Sequence, residues 1–561
     1  MPRERGGRLR RRVSGLLPIL SWTANYERSA LRGDLSAGVA VAVLLVPQSL
    51  AYAALAGMPP IAGLYAALVP LTVYAAAGSS RYVSVGPSAI SSLLVASSLA
   101  SYAGGDPDEY VALAGLLALL AGGIRLVLGV LRVGALANFL SAPVIGGFTS
   151  AAAIVIALGQ IDDLLGISVD RSDSALSTLV AVAARLDATQ LATLLVGAGS
   201  VALMVALRRL APSAPAALVV TVAAIVAVAV FGLADAGVAV LREVPAGLPT
   251  PRLPALDPNA VTRLLPAALT LALVGYVEGI SVAKELASRE RQRIRPNQEL
   301  FALGGACAAA GFFGGYPIGG SLSRTAINYE SGASTQLASL VTAAIVALVL
   351  VALTPLLYFL PQATLAAIVI VAVGGLFDIG QARRAFRTGM ADGLALSVTF
   401  LTTLFFPVEY GLLAGVAFSL AGFLYRSTYP HMAELGRVEG TDRYRKLARD
   451  EVRFVPEVAL LRLDGGLYFM NAESFRDRVQ ALWAKREDLE IVILDTSAIV
   501  GIDATGIETL RALQDQGRAR GIELHLATVR GPFRETLERV GLLDELTVHA
   551  DVEAALTAVG H

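Results

Sequence analysis

The chain has 561 residues, 55% of them hydrophobic and only 16% charged, with 45 basic against 45 acidic side chains and a mean hydropathy of +0.64. A soluble protein of this length would divide into several domains and carry more charge, so the totals argue against a soluble enzyme and for a polytopic α-helical membrane protein. The lone Cys307 excludes an intrachain disulfide, and the four histidines fall in the tail or at its edge, so neither a metal site nor a cofactor is expected.

Residues 1–34 read as a cytoplasmic N-terminal tail carrying Arg3, Arg5, Arg8, Arg10, Arg11 and Arg12. No small-residue cleavage pattern follows closely, so the run is a positive-inside signal rather than a leader or a nucleic-acid arm. The first span, about 35–56, holds Pro47-Gln-Ser-Leu-Ala-Tyr52. Gln48 and Tyr52 sit four apart on one helical face beside the proline break. A second span at about 59–77 leads into Ser79-Ser-Arg-Tyr-Val-Ser-Val-Gly-Pro-Ser88, and the run 89–100 after it is too short to cross a bilayer. Further spans lie near 110–131, 138–159, 190–210 and 215–233, followed by an exposed turn-rich loop at 244–257.

The second half opens with a span at about 264–283 that contains Glu278, then a basic loop from Lys284 to Arg295 and a span at about 297–314. Next comes Tyr316-Pro-Ile-Gly-Gly-Ser-Leu-Ser-Arg-Thr-Ala-Ile-Asn-Tyr-Glu330. Its Pro and Gly residues block a helix before about Ser321, so an extended entry followed by a short helix starting in mid-membrane is expected. The free amides and partial positive charge at such a start call for an anion. Arg324, costly at that depth, argues the same way against a plain packing face. The earlier Tyr82-x-x-x-Gly86-Pro-Ser88 echoes this arrangement, and paired broken segments in two halves of a transporter mark a binding site. Glu278 pairs with Arg324 or Lys284, or else carries a proton beside the anion, which would link proton to substrate.

Spans near 337–359, 363–377, 391–407 and 409–426 bring the count to fourteen segments, seven on each side of the long loop. The transmembrane part is thus 35–430, in halves of about 35–233 and 264–426. Arg81, Arg132, Arg208 with Arg209, the 284–295 cluster, and Arg383, Arg384 and Arg387 all follow even-numbered segments. With the N-terminus inside, all of these loops are cytoplasmic, as the positive-inside rule requires. Composition changes at about 433, and 440–561 reads as a cytoplasmic soluble α/β domain, with a strand at Ile491–Leu494 and a helix at Ile507–Gln516. It carries no phosphate-loop or dinucleotide motif.

These pieces resemble the SulP (sulfate permease) family of anion transporters. The likeness rests on Pro47-Gln-Ser-Leu-Ala-Tyr52 through Pro59-Pro-Ile-Ala-Gly-Leu-Tyr65, on Gly78 to Pro87, on Ser321-Leu-Ser-Arg-Thr-Ala-Ile-Asn328, and on Leu365-Ala-Ala-Ile-Val-Ile370. Leu494-Asp-Thr-Ser-Ala with Ile502-Asp-Ala-Thr-Gly-Ile507 looks like a STAS domain. The resemblance implies two inverted seven-segment repeats, as in uracil permeases. A core of segments one to four and eight to eleven would move like an elevator against a gate of five to seven and twelve to fourteen, in a homodimer. It implies substrate contacts from Gln48, Tyr52, Ser88, Ser323 and Arg324, and proton coupling through Glu278. Where related STAS domains carry a phosphorylated serine this chain has Ala504, which leaves Thr505 as the candidate regulatory position.

The expected function is secondary active transport of a small inorganic anion, with sulfate favoured and protons as co-substrate, in a multi-pass protein of the plasma or inner membrane. The lipid around it and cytoplasmic proteins meeting the STAS domain are its other expected partners; nucleic acid is not. Bicarbonate or dicarboxylate transport is the alternative within transport, and a non-transporting sensor that signals through its tail is the alternative outside it. No nucleophile elbow, metal cluster or nucleotide loop supports an enzyme.

Overall fold

The computed structural model describes residues 17–99, 106–135, 141–169, 175–212, 214–254, 256–438, 444–446, 452–453 and 456–560. The six N-terminal arginines lie outside them. The chain divides into two compact units, Met1–Ser419 and Leu420–His561.

The first unit is helical. After a short α1 (Ile19–Ala24) come α2 (Leu31–Leu55), α3 (Pro60–Ala77), the two-residue strand β1 (Val85–Gly86) and α4 (Ala89–Leu99). Next are α5 (Pro107–Val130), α6 (Ala142–Leu158), α7 (Ile161–Leu165), α8 (Ala175–Ala183), α9 (Leu191–Leu210) and α10 (Ala216–Phe231). The second half runs α11 (Pro258–Arg289), α12 (Pro296–Phe312), β2 (Gly319–Gly320), α13 (Leu322–Glu330), α14 (Leu337–Leu348), α15 (Gln362–Val373), α16 (Ile379–Thr388), α17 (Met390–Phe405) and α18 (Val408–Thr428). Each of the fourteen expected segments is a helix here, and among the described residues eight helical runs are long and apolar enough to cross a membrane by length and composition.

Three further helices, α7, α8 and α16, lie in stretches that read as loops. Of these α16 is short and polar, with Asp378 capping it through the Gln381 amide at 3.0 Å and pairing with Arg384 at 3.0 Å. The expected loop from Lys284 is helical as far as Arg289, because α11 runs on through an i,i+4 pair, Glu285 with Arg289 at 2.7 Å. At its other end Asp257 caps the amides of Asn259 and Ala260, and Pro258 takes the first helical position. The helix α14 passes into a π turn at Val349–Leu353, just ahead of Pro355, whose ring and missing N–H do not suit a regular α-helix.

Small residues bring α5 and α12 together. A Cβ on Gly122 would sit 2.7 Å from the Gly304 carbonyl oxygen, and one on Gly311 would sit 2.5 Å from that of Gly115. The two glycines on each helix are seven apart, so one face of each lies against the other with backbone nearly touching. Cys307 is buried in this packing, its Sγ 3.5 Å from the Ala118 carbonyl.

The second unit is an α/β domain. Its sheet runs β4 (Tyr444–Lys446), β3 (Met432–Val438), β6 (Val458–Leu463), β7 (Ile491–Asp495), β8 (Glu523–Ala527) and β9 (Thr547–His549), with β5 (Val452–Arg453) also paired to β3. The last four strands are parallel. The sheet begins at Met432, where the composition changes and ahead of the expected domain start at 440. Alternation puts Leu461, Val492 and Leu526 on the face covered by α19 (Ala472–Lys485), α20 (Ala504–Arg518) and α21 (Gly531–Arg539). The short α22 (Leu542–Glu545) joins that face, while Leu460 and Ile493 on the other face meet α23 (Val552–Ala558).

On this sheet His525 Nε2 lies 2.9 Å from Glu523 Oε2, and His549 Nε2 lies 3.2 Å from His525 Nδ1. Burial and the neighbouring His525 hold the His549 imidazole below the usual histidine range. The unfolded chain therefore takes up this proton first, so the contribution is complete above about pH 6.5 and is lost as pH falls toward the lower folded value. We expect the thermal midpoint of a 430–561 fragment to fall as pH drops below about 6.5, and to fall less steeply in His549→Gln. Equal slopes by calorimetry in the two proteins would contradict this.

Candidate functional site

Two extended stretches of the first unit, each leading into a short helix, pair with each other. Val85 is opposite Gly320 and Gly86 opposite Gly319, in antiparallel register. Gly86 has φ +149°, a conformation that side chains rarely adopt. The Ser321 amide donates to the Ser84 carbonyl at 3.1 Å, and the Ser84 amide donates to Thr325 Oγ1 at 3.0 Å. Asn328 Nδ2 reaches the Tyr82 carbonyl at 2.8 Å, and Gln336 Nε2 reaches those of Ser80 and Val83. Side chains on and just after α13 thus supply partners to the extended stretch before α4. The resemblance noticed between the two sequences is a physical pairing.

Both strands lead straight into short helices. Ser88 caps α4 by accepting the Ser91 amide at 3.2 Å, and Ser321 caps α13 by accepting the Arg324 amide at 3.4 Å. Each helix still has first-turn amides with no intrahelical acceptor and a positive dipole end. Ser323, in that first turn of α13, is exposed, with its hydroxyl 3.3 Å from Ser321 Oγ. Arg324 is fully buried; its Nη1 donates to the Pro87 carbonyl at 2.9 Å, while Nε and Nη2 have no partner.

One face of α11 forms the floor under β2. A Cβ on Gly319 would come within 2.5 Å of Glu278 Oε2, and one on Gly320 within 2.5 Å of the Gly279 Cα. Glu278 is partly exposed, and its Oε2 accepts from Ser88 Oγ at 3.2 Å. Its hydrogen-bond partner is therefore Ser88 at the start of α4, not Arg324. The helix α2 packs against both α4 and α13. On it Gln48 and Tyr52 are buried, and Gln48 Oε1 has no partner. The helix starts, Ser88, Arg324 and Glu278 thus converge directly; Gln48 and Tyr52 belong to the adjoining helix. Thr505 lies in the other unit, exposed in the first turn of α20, which Asp503 caps.

Three buried charges escaped the sequence reading. Asp34, at the start of α2, accepts from the Ser334 and Thr335 amides, Thr335 Oγ1 and the Tyr26 hydroxyl. Glu299, at the start of α12, accepts from the Tyr74 hydroxyl, the Ser79 amide and hydroxyl, and the Ser80 amide. Arg125 lies in α5 with no exposed surface. The acidic pair sit where spans begin and read as ordinary first-turn carboxylates. Arg125, within a span, was the one signal available.

The chain belongs to the sulfate permease family: the family model matches residues 31–399, and a STAS domain model matches residues 451–555. Sulfate transporter 4.1, chloroplastic, of Arabidopsis thaliana is 36% identical over 550 residues, covering 95% of this chain and 80% of that protein. A probable sulfate transporter of Mycobacterium tuberculosis is 36% identical over 542 residues, 95% of each chain. Among solved structures, the murine solute carrier 26 family member A9 anion transporter in the inward-facing state matches with a TM-score of 0.91. It is 26% identical, over 98% of this chain and 95% of that one.

The contact of β2 with α11 leaves no room for a side chain. Gly319→Ala should displace Glu278 and cost about 1–3 kcal/mol, read as a lower thermal midpoint of the purified protein. Gly123→Ala, whose Cβ would meet nothing within 4 Å, should leave the midpoint unchanged. Equal midpoints for the two variants would contradict the packing described.

Proposed function

We propose that this chain is a secondary active transporter of a small inorganic oxyanion, with sulfate as its foremost substrate and protons as the coupling ion. The observation that carries the reading is Arg324, buried at a helix start with two guanidinium nitrogens unpartnered. Unsatisfied donors at that depth are costly, and an oxyanion is the ligand that relieves them. First-turn amides of α4 and α13 add donors, with the hydroxyls of Ser88 and Ser323 beside them. Gln48 and Tyr52 complete the set from α2. The sulfate transporters among the relatives support sulfate over bicarbonate or a dicarboxylate.

Glu278 is the proton carrier in this reading. A dianion entering a cell that is negative inside is opposed by about 2.3 kcal/mol per charge per 100 mV, so accumulation needs compensating positive charge. Ser88 donates to Glu278 and lies at the head of α4, so anion and proton share a neighbour. Protonation removes a like charge from beside the anion, and the two bind cooperatively. Alternating access follows if the core, α2–α5 with α11–α14, moves as an elevator against α6, α9, α10, α15, α17 and α18, in a homodimer built on inverted repeats. In this reading the protein sits in the plasma or inner membrane, and the arginine distribution supports a cytoplasmic N-terminal tail and STAS domain. Phosphorylation of Thr505 would put its charge in the first turn of α20, where the helix dipole favours it.

Two measurements in proteoliposomes test this reading. Labelled sulfate uptake driven by an inward proton gradient should be lost in Glu278→Gln, while sulfate exchange without a gradient persists. Gradient-driven accumulation that survives in the mutant would remove Glu278 from coupling. Ser323→Glu sets a carboxylate at the proposed anion position, and it should abolish uptake in a correctly inserted protein. Full uptake by that variant would relocate the site, and a wild type that moves no anion would leave the sensor reading in its place.

A further inference from the structure

Arg125 has no place in that mechanism, yet its surroundings are built around it. Its Nε donates to the Ala272 carbonyl at 3.0 Å, Nη2 to that of Leu271 at 2.6 Å, and Nη1 to that of Ile318 at 3.1 Å. The first two carbonyls belong to α11 and already serve its helical ladder, so the guanidinium takes their second lone pairs. Ile318 immediately precedes β2, and its carbonyl would otherwise lie buried in the membrane core. One planar cation therefore ties three main-chain carbonyls from two separate stretches of chain.

The space for it is equally specific. A Cβ on Gly275 would fall 2.1 Å from Arg125 Nη2, and one on Gly304 would fall 3.0 Å from the Arg125 Cβ. Gly275 lies one turn before Glu278 on the same face of α11, and that face carries Gly319 and Gly320. Whatever fixes Ile318 on α11 therefore fixes Gly319 against Glu278 and sets where α13 begins.

We propose that Arg125 is a positioning residue for the anion site. By clamping the Ile318 carbonyl to α11 in the slot left by Gly275, it holds the start of α13 in register with Glu278 and Ser88. The proposal rests on the anion-site reading above. Lysine keeps the charge but offers one nitrogen in place of a planar fork, so it cannot span the three carbonyls. Alanine at 275 keeps the arginine but drives it out of its slot. Both changes act on one contact, by different routes.

The test is labelled sulfate exchange in proteoliposomes without a proton gradient, for wild type, Arg125→Lys, Gly275→Ala and the double variant. Each single variant should raise KM about tenfold, the loss expected for a charged hydrogen bond, with the maximal rate within about threefold of wild type. The double variant should be no worse than the worse single one, because both remove the same contact. Unchanged KM in both singles, or losses that multiply in the double, would overturn the role. So would loss of folded protein in both singles, judged by gel filtration, since Arg125 would then serve folding alone. If one single fails to fold, the KM of the other decides. A wild type that does not exchange sulfate overturns the anion site and this role together, whereas normal wild-type exchange with unaffected variants overturns only the role of Arg125.

Discussion

A polypeptide that leaves the helical state in mid-membrane must find partners for its own main chain, and that requirement organises this fold. Neither broken segment can meet it alone. The stretch before α4 has no ladder of its own, and the one before α13 is broken by Pro317 and a glycine pair. Together they form a two-residue antiparallel ladder, extended by the bond from the Ser321 amide to the Ser84 carbonyl. Thr325, Asn328 and Gln336 add side-chain partners to main-chain groups of the first stretch. Once these bonds form, the starts of α4 and α13 are fixed relative to each other. The site is thus a consequence of satisfying the backbone, and the donors that remain at the two helix starts are the surplus.

Buried charges in the same unit sort by how fully they are satisfied. Asp34 and Glu299 each accept four hydrogen bonds, and Arg125 donates three. Such groups have little left to offer a ligand and act as pins between elements distant in sequence. Arg324 donates one bond and keeps two nitrogens unpartnered, while Glu278 takes one bond from Ser88 and is partly exposed. A charge left under-satisfied at this depth is expensive unless something transient completes it. The degree of satisfaction, more than residue type, separates the pins from the groups proposed for transport.

Much of this was legible in the sequence because it is local. Apolar runs placed the other thirteen segments, and Pro317, Gly319 and Gly320 announced the break from which α13 starts. The arginine at 324 and the carboxylate at 278 stood out because few charges occur in such spans. What was not legible depends on distance along the chain. Arg125 finds its carbonyls near 271 and 318, and Glu299 finds its donors near 79, so spacing carries no trace of either. The sequence reading left Glu278 either to pair with Arg324 or Lys284, because opposite charges attract, or to carry a proton. The fold instead brings Ser88 to it, since α11 packs on the start of α4. The helices α7, α8 and α16 were missed because short polar or amphipathic pieces between spans read as loops.

Glycine contacts bear on how such a unit would move. Where a Cβ would come within 3.0 Å of another element, the pairs in the core set include Gly33 with Gly332, Gly38 with Ala338, Gly63 with Ser49, Gly122 with Ala308 and Gly275 with Arg125. In the gate set they include Gly147 with Leu396, Gly411 with Thr403 and Gly415 with Thr399. Among the described glycines of this unit, no contact that close joins one set to the other. Packing this close, against backbone in some pairs and against side chains in others, tolerates little sliding, since a shift drives atoms into overlap or opens a void. Each set thus holds such close glycine contacts internally, and the described glycines place none across the boundary between the two. This is the pattern expected if the proposed elevator motion moves the two sets as rigid bodies.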